Sequence, residues 1–324
     1  MPIQEVHFMS GFFRFSHTSA VLAPVSLALA ALLAGCAAVP GNAVEPAPQR
    51  TGVAPTAPGD WQRRLQDWAG VDLLLLGEQH DQPGHQAWEA ATVAQLAREG
   101  RLAALVLEMA PAGGSTEGLA ADASDEQARA ALHWQQGAAQ GGWPWEVYGP
   151  VVMAAVRARV PVLGGNLPRD QIKTAMQEWQ LDGHLSPGAW KQQLQAIDRG
   201  HCGLLPESQW APMARVQLAR DRSLARVAIA ASTKYARSPA AGAARLQVLI
   251  VSGNGHARRD LGIPTWLPVG LDYKVALATT ARGPAVDQAQ GDWWQVTAAH
   301  AAKDHCGQLR EQWKAAPGRS GGAR

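Results

Sequence analysis

Four leucines in succession, Leu73, Leu74, Leu75 and Leu76, run without a break into Gly77, Glu78, His80, Asp81 and His85. A short, wholly apolar run that stops at a glycine reads as a strand buried on both faces, the kind found in parallel sheets. In open α/β sheets, ligands sit just beyond the carboxyl ends of such strands. Glu78 and His80 are therefore expected at a site, on a loop aimed by a rigid strand. As parts of an ordinary strand-to-helix turn they would carry no function.

The pattern recurs along the chain. Residues 103–107 are apolar and end in Glu108, Met109, Ala110 and Pro111; residues 246–251 end in Ser252, Gly253, Asn254, Gly255 and His256. Further strands are predicted at 160–163, before Gly164, Gly165 and Asn166, and at 275–279. Helices are predicted at 60–69, 84–101 and from Pro144 to about 158. This alternation predicts an α/β fold, three-layered α/β/α around a mostly parallel sheet. If the strands before Glu78 and Glu108 are neighbours, both carboxyls reach one sheet edge with about 5 Å between strands. Gly253 and Gly255 would let backbone approach a ligand closely or adopt conformations closed to other residues.

Helical periodicity dominates residues 169–235 and predicts a smaller helical subdomain. It comprises a helix at 187–199, a turn at His201, Cys202 and Gly203, and a long helix over 206–235. The last carries an apolar stripe of Met213, Val216, Leu224, Val227 and Ala231, with Arg220 inside it. A buried arginine needs a partner. Either Asp221 or Glu207 supplies one, or Arg220 faces a pocket and holds an anion. Residues 113–139 are alanine-rich and predicted as two helical pieces. Trp143, Pro144 and Trp145 then form an aromatic corner, with Tyr148 one turn into the following helix.

The ends of the chain read differently. Residues 18–34 are apolar and uncharged, follow Arg14, and lead into Leu33-Ala34-Gly35-Cys36. That is a secretory signal with a lipobox, predicting cleavage before Cys36 and lipidation of it, palmitate included; Met9 is an alternative start. Residues 37–59 are rich in Pro, Ala, Gly and Thr and read as a tether, leaving a folded body at 60–316 and a disordered tail at 317–324. Ala37 after the cysteine, with no aspartate there, predicts the outer membrane, facing the periplasm. With Cys36 lipidated, Cys202 and Cys306 remain as a pair in an oxidising compartment. Their disulfide would close a loop of about a hundred residues and contribute ~4–5 kcal/mol.

A net charge of +2 and the absence of a Lys/Arg run exclude a nucleic-acid partner. No nucleophile elbow, phosphate-binding loop or dinucleotide fingerprint is present. The strand ends instead offer Glu78, His80, Glu108 and His256, with His85 close behind. Such a set fits either the ligands of a divalent metal or a general acid/base pair. Asn254, Arg220 and Asp221 are further pocket candidates. Thirteen tryptophans against three tyrosines fit pocket walls or interfaces, or plain compositional drift.

Taken in order, Leu-Leu-Leu-Gly-Glu-Gln-His at 74–80 with His85, Leu-Glu-Met at 107–109, Trp-Pro-Trp-Glu-Val-Tyr at 143–148, Gly-Asn at 165–166, His-Cys-Gly-Leu-Leu-Pro-Glu at 201–207, Gln-Leu-Ala-Arg-Asp at 217–221 and Gly-Asn-Gly-His at 253–256 resemble the ChaN-like haem-binding lipoproteins. The resemblance implies an envelope protein of haem or iron uptake, a binding protein rather than an enzyme. It further implies haem held between two protomers of a homodimer through a tyrosine with histidine support. Tyr148 lies inside a matching motif and takes the ligand role, with His85 and His256 beside it; Tyr235 and Tyr273 are alternatives. The Gly-Glu-x-His pattern also resembles the Tiki and TraB proteins and the erythromycin esterases. That implies the rival reading, a metal-dependent protease or esterase using Glu78, His80, Glu108 and His256.

Overall fold

The computed structural model describes residues 56–57, 59–134, 143–236, 246–283, 287–300 and 304–315. The signal segment, Cys36 and the tail at 317–324 lie outside them. The chain forms α1 (Asp60–Asp67), β1 (Leu73–Glu78), α2 (Pro83–Arg98), β2 (Leu102–Pro111), α3 (Asp125–Ala131), α4 (Trp145–Arg157) and β3 (Val162–Asn166). Then follow α5 (Ile172–Gln177), α6 (Pro187–Gly200), α7 (Trp210–Tyr235), β4 (Gln247–Gly253), α8 (Asn254–Ala257), β5 (Tyr273–Thr280), β6 (Trp293–Thr297) and α9 (His305–Ala315).

All six strands are parallel, in the order β3-β2-β4-β1-β5-β6. Side chains alternate across the sheet, and each face finds its own cover. Leu74, Leu76, Leu105, Leu107, Leu249 and Val251 pack toward α1, α2 and α4. Leu73, Leu75, Val106, Val248 and Ile250 pack toward Leu224, Ala225, Ala228 and Ala231 of α7. The three-layer α/β/α architecture is thus what the apolar runs require: strands buried on both faces need helices on both sides.

α7 is long enough, 26 residues, to serve two cores. Its second half covers the sheet, while Val216, Leu218 and Ala219 pack with α5 and the 3-10 turn Trp179–Gly183. Met213 and Ala214 join Ile197 of α6 and Leu205. This is the expected helical subdomain, and it shares a helix with the main body.

Four expectations change. Between Gly113 and Ser124 the chain turns, with left-handed backbone at Gly113 and Gly118, and only α3 is helical, started by a Ser124–Gln127 capping box. Alanine content without an apolar face did not carry a helix through those glycines; residues 135–139 of the predicted pair lie outside the described segment. The strands of Glu78 and Glu108 are not neighbours, because β4 pairs with both. The sequence reading missed β6 and α9. The tether expected through residue 59 is already held at Thr56, whose N–H donates to the Val296 carbonyl of β6 (2.9 Å) and whose hydroxyl accepts from the Val296 N–H (2.8 Å). No helix among the described residues is long and apolar enough to cross a membrane.

Candidate functional site

The carboxyl ends of β1, β2 and β4 meet in a buried chain of acids and imidazoles. Glu78 ends β1, only 2 % exposed. One of its carboxyl oxygens accepts from the Tyr148 hydroxyl (2.6 Å) and contacts Nδ1 of His80 (2.6 Å). The other accepts from the side-chain amide of Gln86 on α2. Tyr148 also lies 3.2 Å from His80 Nδ1. Burial alone would depress the His80 pKa, but Glu78, and more weakly Glu108, outweigh it and raise it. The His80 ring leans on Trp143 at 4.4 Å, and Trp143 meets the Tyr148 ring edge-on at 5.6 Å.

A second group sits across β4. Glu108 accepts from the Gly253 N–H through one oxygen (2.7 Å) and places the other 3.4 Å from His256 Nε2. Nδ1 of His256 pairs with Asp221 of α7 at 2.6 Å. Burial opposes the charge on His256, but Glu108 and Asp221 raise its pKa on balance. Burial would also raise Glu108, yet His256, His80 and the Gly253 N–H hold it below the usual carboxylate range. Asp221, dehydrated beside Glu108, is pushed up to about 6 despite His256. Arg220 is pushed down to about 10 by burial and keeps its charge at neutral pH, with Asp221 opposing the shift.

The glycines explain how the two groups approach. A Cβ on Gly253 would stand 2.7 Å from His80 Nε2, so the missing side chain is the space the imidazole occupies. Neither Gly253 nor Gly255 has a positive φ. The close approach expected for a ligand is made by His80 instead. A Cβ on Gly77 would strike the Asn254 and Leu277 side chains. Asn254 itself donates to the Ala278 carbonyl (2.8 Å), stitching α8 to β5.

The structure therefore gathers Glu78, His80, Tyr148, Glu108, His256 and Asp221, with Arg220 adjoining. It leaves His85 aside. That ring is fully buried and its Nδ1 accepts from the Gln79 N–H (3.0 Å), bracing the turn that presents His80; burial lowers its pKa. Sequence reasoning missed Gln86 and Glu89. Glu89 is fully buried, neither of its oxygens has a hydrogen-bond partner, and burial plus Glu78 and Glu108 raise its pKa well above the usual value. The signal was available: His85, Glu89, Thr92 and Leu96 share one helical face that is otherwise directed inward.

Chemically, the array can hold and pass protons between buried groups. It is not arranged to grip an ion, since among the described residues no three of His, Cys, Asp and Glu could hold a metal. Glu78 spends its oxygens on Tyr148, His80 and Gln86, and Glu108 spends one on the Gly253 N–H. Glu108 and His256 are each at most 2 % exposed, which leaves a hydrolytic substrate no route to them. As haem ligands the expected residues also fit poorly in this arrangement. Tyr148 is 1 % exposed, its hydroxyl is committed to Glu78, and burial followed by Glu78 raises its pKa well above the ordinary value, against the phenolate that iron binds. His256 is closed in by Asp221 and Glu108. Of the other tyrosines, Tyr273 is half-buried under Arg259, 5.9 Å from the ring, and Tyr235 half-buried beside Lys234.

The sequence signature of the family described as haem-binding uptake, Tiki superfamily, ChaN, matches residues 64–267. A solved structure of Campylobacter jejuni ChaN, described as binding haem cofacially, superposes with a TM-score of 0.54 at 20 % identity, covering 72 % of this chain and 89 % of that one. The type III effector HopBA1 gives a TM-score of 0.38 at 13 % identity, over 71 % and 88 % of the two chains. A Bacillus cereus protein gives 0.31 at 12 % identity, over 71 % and 72 %. No curated protein sequence matches the chain.

Proposed function

This chain belongs to the ChaN family of the Tiki superfamily, and from that premise we propose that it binds haem and serves haem or iron uptake at the cell envelope. The observation that carries the reading is the extent of the family match. Residues 64–267 take in both halves of the buried array, from Glu78 to His256, together with the helical part.

The array's own contribution is structural preparation. Glu78 is held by a phenol, an imidazole and an amide at once, which fixes the β1–α2 turn. Tyr148 acts here as a cap on Glu78. When bound, haem would supply the iron chemistry, and no contact to it is assigned to a particular side chain.

Hemin titrated into the purified mature protein should produce a saturable Soret band, with the mass of the complex reporting whether two protomers share the ligand. No Soret change at micromolar hemin would sink the proposal. Tyr148→Phe should keep the band position, because the hydroxyl serves Glu78; a displaced band would make Tyr148 the iron ligand and require its aromatic cover to open.

The envelope location rests on the lipobox and on the Cys202–Cys306 disulfide, whose Cα atoms are 5.7 Å apart. Such a bridge is at home in an oxidising compartment. Outer-membrane anchoring through lipidated Cys36 is proposed with it. Cys36→Ser should move the protein out of the membrane fraction, and unchanged partitioning would count against the anchor.

A further inference from the structure

The β1–α2 turn that carries His80 is held from outside by the far end of the chain. His305, first residue of α9, contacts Asp81 through Nε2 (2.9 Å), and the His300 N–H donates to the Gln82 side chain (3.3 Å). Asp81 and Gln82 directly follow His80. The next residue of α9, Cys306, is bonded to Cys202, 104 positions earlier in sequence, in the turn that ends α6. One helical turn on, Leu309 is buried, and Trp313 packs against the cluster of Ile197, Leu205 and Met213. α9 thus spans from the site turn to the helical part, and its only covalent hold on the fold, besides the chain itself, is that disulfide.

The remaining contacts are weak enough for the bridge to decide. The His305–Asp81 pair is partly exposed, at 35 % and 18 % of the side chains, and such pairs contribute little alone. Among the described side chains of this 11-residue helix, Leu309 alone is buried, and Trp313 is half-buried. A helix that short does not persist without tertiary support. Both cysteines are half-buried, open to another thiol. Cys202 also holds a left-handed backbone (φ 57) that a non-glycine residue adopts at a cost.

We propose that Cys202–Cys306 is a redox latch: reducing it releases α9, and with it the clamp on the turn that presents His80. The step is thiol–disulfide exchange with a dithiol reductant. A thiolate of the reductant attacks one sulfur and forms a mixed disulfide, and the freed cysteine leaves as thiolate and takes a proton. The second reductant thiol then displaces the other cysteine, so the dithiol ends as a disulfide and two electrons reside on the two cysteine thiols. Through the hold of α9 and His300 on Asp81 and Gln82, the latch couples envelope redox state to the turn that presents His80.

Hydrogen exchange on the full mature chain, with and without reductant, tests this. Reduction, or Cys202→Ser with Cys306→Ser, should speed exchange at residues 79–86 and along α9 by about tenfold or more while β1, β2 and β4 stay protected. Unchanged exchange at 79–86 overturns the latch, and so does loss of protection throughout the sheet, which would make the bridge a plain staple. Asp81→Asn with the disulfide intact gives a second measure: it should loosen 79–86 and leave α9 protected, and no loosening there removes the clamp. Hemin association in the same preparations should quicken on reduction; that arm alone rests on the haem proposal. Absence of any Soret band in either redox state would sink haem binding and leave the exchange result to judge the latch.

Discussion

Two imidazole–carboxylate pairs with the same 2.6 Å spacing stand on either side of β4 and differ in almost everything else. His80 with Glu78 belongs to a turn; its ring leans on Trp143 and its neighbours are clamped by α9. His256 with Asp221 joins a one-turn helix set over β1, β4 and β5 to the middle of a 26-residue helix. The first pair depends on contacts that can let go. The second is sealed between elements that cannot move apart without opening the core. Identical local geometry therefore serves two purposes, presentation at the edge and fixation inside.

The largest effect that could break this contrast is on stability. Asp221→Ala strips His256 of its Nδ1 partner and removes a carboxylate that favours the charge on Arg220, both in dehydrated surroundings. Removing one partner of a buried charged pair costs about 3–5 kcal/mol. His80→Ala leaves Glu78 with Tyr148 and Gln86 and should cost only about 1–2 kcal/mol. Urea denaturation of both variants compares them, and equal losses would erase the distinction between edge and core.

Acidity sharpens it next. Both imidazoles have raised pKa values, because facing carboxylates outweigh burial. A raised pKa gives stability that is complete below the ordinary value of 6.5 and is lost as pH rises through the raised one. Asp221 works in the same sense, its share complete below its ordinary 3.8 and fading as pH climbs through about 6. Glu108, with a lowered pKa, opposes them only on the acid side, losing its share as pH falls below its ordinary 4.5. The melting temperature should therefore decline as pH rises above 6.5, after a first decline from Asp221 between pH 3.8 and about 6. His256→Gln should flatten that decline more than His80→Gln. Asp221 and Glu108 both lie within 3.4 Å of His256, while Glu78 contacts His80 and Glu108 acts on it from farther off. Parallel curves would show the pairs to be equivalent.

How far the sequence could be read follows from which interactions are local. β1, β2 and β4 are legible because runs that are wholly apolar in β1 and β2 and mostly so in β4 stop at Gly77, Glu108 and Ser252-Gly253. The placement of Glu78 and Glu108 at one edge was legible too, but their separation was not, because strand order comes from long-range pairing and β4 enters from 145 residues beyond Glu108. Trp293 and Trp294 gave no apolar run for β6, an edge strand with only Val296 buried. The clamp of His305 on Asp81 bridges 224 positions between partly exposed residues, and no pattern marks such a pair in advance. Tyr148 was singled out by resemblance as a haem ligand, apart from the cluster; its bond to Glu78 and its burial, which decide against an open ligand position, appear only in three dimensions.

Glu89 yields the smallest expected effect and the finest division between the two pairs. It touches neither imidazole, but it feels Glu78 on one side and Glu108 on the other. Burial, reinforced by those carboxyls, keeps its proton on, so the folded protein already contains a neutral acid there. Glu89→Gln replaces one neutral polar group with another of similar shape and should change stability by less than about 1 kcal/mol below pH 4.5, where the unfolded glutamate is neutral too. The sign then depends on pH. A raised carboxyl pKa means stability lost as pH rises above the ordinary 4.5, so the glutamine variant, which cannot ionise, should overtake the native protein from there upward. It should do so equally with His80→Gln or His256→Gln in the background if Glu89 serves both halves alike. An advantage that survives in one background and vanishes in the other would assign Glu89 to the half whose histidine was removed in the background where it vanished, joining it to that pair by more than distance.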